Sequence, residues 1–200
     1  MSTKIEICNL ALREVGEQEI QSLSETSKNA KICNRFFESV YDEVLRLHNW
    51  NCALFRTELA QDSDTPDYGW TYQYTLPADP YCLRVLRMED TDYEWVIEGR
   101  KLLTDEGTAK ILYIGRVADP DKLDPLCTRV IVLTLAYRMA YTLTENATLR
   151  QIIKDDLRDA WSDARSMDAN EGTKMQTHNS KWLQSRYQGI GAGINRNNVR

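Results

Sequence analysis

The chain has 200 residues, 42% of them hydrophobic and 28% charged, with a formal net charge of −5. A chain of that size can hide roughly 70% of its unfolded surface, so one compact domain needs neither a disulfide framework nor a structural metal. Its apolar runs are short of the roughly 20 residues that a spanning helix requires, so a membrane protein is not expected.

Met1-Ser2-Thr3-Lys4-Ile5-Glu6 has no basic stretch followed by an apolar one, which makes a reducing cytoplasm the expected place of synthesis. Ile5, Cys8, Leu12 and Val15 then keep the i, i+3, i+7 rhythm of a helix that starts after Ser2 or Thr3 and stops at Gly16. Ile20-Gln21-Ser22-Leu23 reads as a connector. A second helix is expected from Thr26 or Ser27 to about His48, with Ala30, Cys33, Phe37, Val40, Val44 and Leu47 on one stripe.

From about Cys52 the period changes to two. Ala53, Phe55, Thr57 and Leu59 alternate with polar residues until Asp62-Ser63-Asp64-Thr65-Pro66 breaks the run. Tyr72–Leu76, Leu83–Met88, Tyr93–Ile97, Lys101–Thr104 and Lys110–Gly115 follow, each read as one arm of a hairpin. Residues 52–117 are therefore expected to form a small antiparallel sheet inserted into a helical body made of residues 1–51 and 118–171. Asp124 is placed as N-cap and Pro125 at the first position of a third helix, about 126–144, apolar on most sides and so expected to be the central element. The fourth helix, about 148–169, has the stripe Leu149, Ile153, Leu157, Ala160, Ala164 and Met167. The expected fold class is α+β: a bundle of about four helices, an antiparallel β insertion and an extended C-terminal arm.

That arm is the least ordinary part of the sequence. Residues 172–200 carry Lys174, Lys181, Arg186, Arg196 and Arg200 with no Asp or Glu, a charge of +5 that leaves −10 on residues 1–171. Gly172, Gly189, Gly191, Gly193 and few large apolar groups do not offset the entropy of ordering such a segment. It is read as a flexible docking arm in which Lys181, Trp182, Leu183, Arg186, Tyr187 and Arg196 meet a partner.

Little in the chain points to catalysis. Only His48 and His178 could serve as a base; His178 lies in the arm, and His48 is read as a group beside Trp50 that favours a helix C-terminus. Cys8, Cys33, Cys52, Cys82 and Cys127 never form a C-x-x-C pair, so a zinc site is not expected, and Cys8, Cys33 and Cys127 are read as core thiols. Asp155, Asp156, Asp159 and Asp163 are interleaved with Arg150, Lys154 and Arg158, which reads as a salt-laced helix face and not as a cation site. Gly189-Ile190-Gly191-Ala192-Gly193 lacks the context of a phosphate loop. No cofactor is expected.

Several words taken together resemble a known family. Cys8-Asn9-Leu10-Ala11-Leu12 with Gly16 and Ile20-Gln21-Ser22-Leu23 come first. Ser27-Lys28-Asn29-Ala30 with Cys33-Asn34 follows, then His48-Asn49-Trp50-Asn51-Cys52-Ala53. After these stand Tyr74-Thr75-Leu76-Pro77-Ala78-Asp79 and Cys82-Leu83-Arg84-Val85. In that order they resemble the head-to-tail adaptors, or tail tubular protein A, of short-tailed bacteriophages. Glu98–Thr104, Tyr113-Ile114, Asp119-Pro120 and Leu123–Leu126 continue the likeness, which covers roughly residues 5–170. The resemblance implies a non-enzymatic virion protein at the head–tail interface, assembled in the host cytoplasm. It further implies a dodecameric homo-oligomeric ring that contacts a portal protein and a tail nozzle protein. DNA would pass through its channel without sequence-specific binding. The two other classes considered are a carboxylate-based cell-wall hydrolase carried in the virion and a sequence-independent DNA-binding accessory protein.

Overall fold

A computed structural model describes residues 3–171 of the chain. Its fold is α+β, with four α-helices and two small antiparallel sheets. α1 (Lys4–Val15) is capped by the Thr3 hydroxyl, which accepts from the Glu6 N–H. It ends at Gly16, whose φ of 80° lets its N–H turn back to the Arg13 carbonyl, a left-handed cap that costs a residue with a Cβ more. α2 (Lys28–Leu47) starts at Ser27, whose Oγ accepts from Ala30, and α3 (Pro125–Thr144) starts at Asp124 and Pro125 as expected. α4 (Ala147–Asn170) completes the helical set.

α3 is the centre of the body, because α1 and α2 both pack on it. Twelve of its twenty residues are buried, among them Val130, Ile131, Leu135, Ala136 and Met139. Its length and hydropathy would suffice to cross a membrane, which corrects the reading of the apolar runs as too short; here those residues form the core between α1 and α2. Cys8, Cys33 and Cys127 belong to the same core, as read from the sequence.

The β region divides into two three-stranded sheets. β1 (Leu54–Leu59), β6 (Ala109–Gly115) and β3 (Cys82–Met88) form one with β6 central, and β2 (Tyr72–Thr75), β5 (Lys101–Thr104) and β4 (Trp95–Glu98) form the other with β5 central. Every pairing is antiparallel. Only β4 and β5, joined at Gly99-Arg100, make a hairpin; the other strands pair across long separations because their connections pass from one sheet to the other. The facing sides enclose a second core of Leu59, Tyr74, Leu76, Cys82, Met88, Leu102, Ala109, Ile111 and Tyr113. Ile114 and Leu83 join the helical core instead, so the first sheet is shared between the two cores. At Gly115 a Cβ would come within 2.6 Å of the Phe55 ring, so this strand crossing requires glycine.

The register fixes a polarity. Leu59 pairs with Ala109 at the end of the first sheet that holds Met88, and Tyr72 and Trp95 both pair with Thr104 at the end of the second. The segments 60–71, 89–94 and 105–108 all bridge these ends, and so cluster at the end of the β unit away from the helices. At the other end Arg100 donates to the carbonyls of Leu76, Pro77 and Cys82 and stacks over Tyr81.

Candidate functional site

The residues singled out for docking, Lys181, Trp182, Leu183, Arg186, Tyr187 and Arg196, lie outside the described residues, as does His178. Within the described chain, two regions concentrate chemistry.

The first is a junction where the end of α2, the short 3-10 turn Asn51–Ala53, the start of α3 and the end of α4 meet. His48 Nε2 lies 3.0 Å from Asp168 Oδ2, and the other oxygen of that carboxylate accepts the Asn51 backbone N–H at 3.0 Å. The Asp168 carbonyl accepts from Asn51 Nδ2 at 2.8 Å. The Asp168 side chain is 11% exposed, so its hydrogen bonds are made in a poorly hydrated place where an unpaired carboxylate would be costly. Trp50, 1% exposed, donates its indole N–H to the Val44 carbonyl, stacks on Trp161 at 5.5 Å between centroids and meets His48 edge-on at 4.7 Å. Arg165 covers the outer face of Trp161. His48 is therefore beside Trp50, as read, but its ring nitrogen is engaged by Asp168, a partner that sequence reasoning missed. The signal was present in part: Asp168 continues the stripe of Ile153, Leu157, Ala160 and Ala164 by one helical step.

Cys52 sits in the same junction, half-buried. Cys127, in the first turn of α3, and the Asp124 backbone outweigh burial and lower the Cys52 pKa to about 7. The Cys127 thiol, 0% exposed, is pushed upward by Cys52 and by burial.

The second region is the set of distal segments of the β unit. Asp62, Asp64, Asp67, Glu89, Asp90, Asp92, Glu94, Asp105 and Glu106 lie in segments 60–71, 89–94 and 105–108, which contain no Lys or Arg. These 22 residues thus hold −9 of the −10 carried by residues 1–171. Two strand lysines border them, Lys101 at 3.1 Å from Asp62 and Lys110 at 3.1 Å from Glu89. Asp105 accepts from both the N–H and the hydroxyl of Thr71, which ties two of the segments together. Tyr68 is 88% exposed and Tyr93 37%. A cleft of about 550 Å³ opens here between Met88, Glu89, Asp90, Tyr93, Thr108 and Lys110. Glu89 in this cleft is 70% exposed and ion-paired with Lys110.

On α4, Arg158 pairs with Asp155 at 3.6 Å and reaches Asp159 at 4.0 Å, and Gln151 donates to Asp155, which agrees with a salt-laced face. No group of three or more His, Cys, Asp or Glu side chains placed to hold a metal ion occurs among the described residues. On the body's surface Arg116 bridges Asp42 and Glu38, and Arg138 pairs with Glu43, which ties α2 to the end of β6 and to α3. Comparison of the chain with protein-family models and with curated proteins finds no match.

Proposed function

We propose that the chain is a structural virion protein, a head-to-tail adaptor whose copies assemble into a ring between portal and tail nozzle around the channel through which DNA leaves. The observation that carries this reading is that the family-like words coincide with the residues that fasten the fold. Asn9 donates to the Ile20 carbonyl and accepts the Ile20 N–H, both at 2.9 Å, which pins the connector to α1. Asn29 donates to the Gln18 carbonyl at 3.0 Å. The word His48–Ala53 is the junction itself, with Asn49 bonded to Arg84 and His48 and Asn51 to Asp168. Leu76-Pro77 and Cys82 are the carbonyls gathered by Arg100 from the word Glu98–Thr104. The likeness therefore reaches the contacts that set architecture, which composition alone would not produce.

The charge distribution also suits the role. A negatively charged conduit repels phosphates and lets a duplex slide, where a basic one would hold it. A helical body and a separate β end give two surfaces for two different neighbours.

The test is electron microscopy of the chain mixed with the portal of its phage. A ring seated on the portal is the expected result; a chain that stays monomeric and unattached overturns the reading. Two variants refine it. Deleting residues 176–200 should abolish attachment while residues 3–169 stay folded by circular dichroism, and normal attachment would refute the docking arm. Neutralising the carboxylates found to line the channel should slow DNA ejection, and unchanged ejection would refute an acidic lumen.

A further inference from the structure

We propose that Arg56 and Arg87 form a docking site for an acidic segment of a second copy of this chain, Asp92-Tyr93-Glu94 of its distal end. Both arginines stand opposite Leu112 of β6, one on β1 and one on β3, so they flank that residue on one face of the first sheet with their Cα atoms about 10 Å apart. Leu112 is half-buried and belongs to neither hydrophobic core. A cleft of about 440 Å³ opens over this place, and Lys110, Glu58 and Glu89 also line it. Lys110 is held by Glu89 at 3.1 Å, and Arg84 further along β3 is bonded to Asn49. No hydrogen bond, ion pair or ring contact among the described residues engages Arg56 or Arg87, and Arg87 Nε is buried without a partner. A donor withdrawn from water with no acceptor is unfavourable, and a carboxylate brought to a guanidinium fork supplies charge-assisted hydrogen bonds.

The occupant follows from charge and position. Among the described residues, only Asp62 and Glu89 of the nine distal carboxylates have a cation in their own chain, so the others keep their charge unneutralised. Asp92, Tyr93 and Glu94 are all exposed and offer two carboxylates for two guanidiniums, with an aromatic ring for Leu112. Arg56 is three residues from the Leu59–Ala109 pair that ends the sheet, about 10 Å along the strand. A copy standing alongside therefore brings its own distal segments to the level of the groove. A nucleic acid fits less well, because its closely spaced phosphates would also meet Glu58, Glu89 and the distal charge. Groove and ligand are different surfaces, so the contact runs head-to-tail from copy to copy, the interface class that closes into rings. The proposal rests on the ring reading, to which it gives a contact between neighbours.

The experiment measures sedimentation of the full chain at physiological ionic strength over a range of concentrations. The wild type is expected to form species larger than a monomer that dissociate as salt is raised. Arg56→Glu/Arg87→Glu, and separately Asp92→Lys/Glu94→Lys, should each weaken association more than about tenfold with unchanged circular dichroism, because like charges then face each other. Mixing the two variants should restore association, since the new glutamates of one copy meet the new lysines of the other. A peptide of sequence Glu89–Glu94 should compete with wild-type association, a readout that needs no variant. A wild type that stays monomeric, variants that associate normally or a mixture that stays apart overturns the proposal, as does duplex DNA whose binding is lost in Arg56→Glu/Arg87→Glu. A monomer here with a ring on the portal sinks this contact alone, whereas association here with no ring on the portal sinks the ring reading alone.

Discussion

α3 and α4 are helices of comparable length held in place by different means. α3 buries twelve of twenty residues, whereas α4 buries only Ile153, Ala160 and Ala164 of its twenty-four. Burial over a long face makes a helix part of the cooperative core, at roughly 25 cal/mol per Å² of apolar surface removed from water. A helix with so thin a buried stripe needs particular contacts, and α4 has them near its end: Trp161 on Trp50, and Asp168 on His48 and Asn51. One helix is fixed by area and the other by a clasp, so the two should fail differently when altered.

Leu135→Ala, at a fully buried α3 position, is expected to cost about 2–5 kcal/mol of global stability, read as a lowered urea midpoint at unchanged slope. Asp168→Ala should cost about 1–3 kcal/mol, because it leaves the Asn51 N–H and His48 without their partner. Its signature is local, with amide protons in the last turns of α4 exchanging faster while those of α3 keep their protection. If α3 amides lose protection equally, the distinction between area and clasp fails. Asp124→Ala removes the cap that accepts from Leu126 and Cys127 and should cost about 1 kcal/mol at the start of α3. Arg158→Ala, on the solvent face of α4 with its side chain 77% exposed, should change stability by less than about 0.5 kcal/mol, and a larger loss would mean that the salt-laced face contributes to holding the helix.

The same contrast explains what could be read in advance. The N-cap Asp124 was legible, and the caps Thr3 and Ser27 were narrowed to Ser2 or Thr3 and to Thr26 or Ser27, because a capping side chain bonds a backbone group two or three residues away. The identity of α3 as the core was legible because hydropathy on nearly all sides of a helix leaves it no solvent face. Strand pairing was not: β1 finds β6 across the whole β unit, and nothing local in Leu54–Leu59 specifies Ala109–Gly115 as its partner. The α4 stripe was read through Ala164 to Met167, but Met167 is 56% exposed and the polar Asp168 takes the inward position. A scale that ranks residues by hydropathy cannot see a carboxylate that is buried because it is fully bonded.

The three distal segments set a limit on how copies of this protein can stand together. Nine carboxylates within 22 residues make the end of the β unit a concentrated negative charge, while the remainder of residues 1–171 is close to neutral at −1. Repulsion between such ends is felt over about one Debye length, roughly 8 Å at physiological ionic strength. If copies stand side by side through their helical bodies, their β ends are expected to splay or to take up cations or a basic chain between them. In such an arrangement the spacing of those ends should shrink as salt is raised.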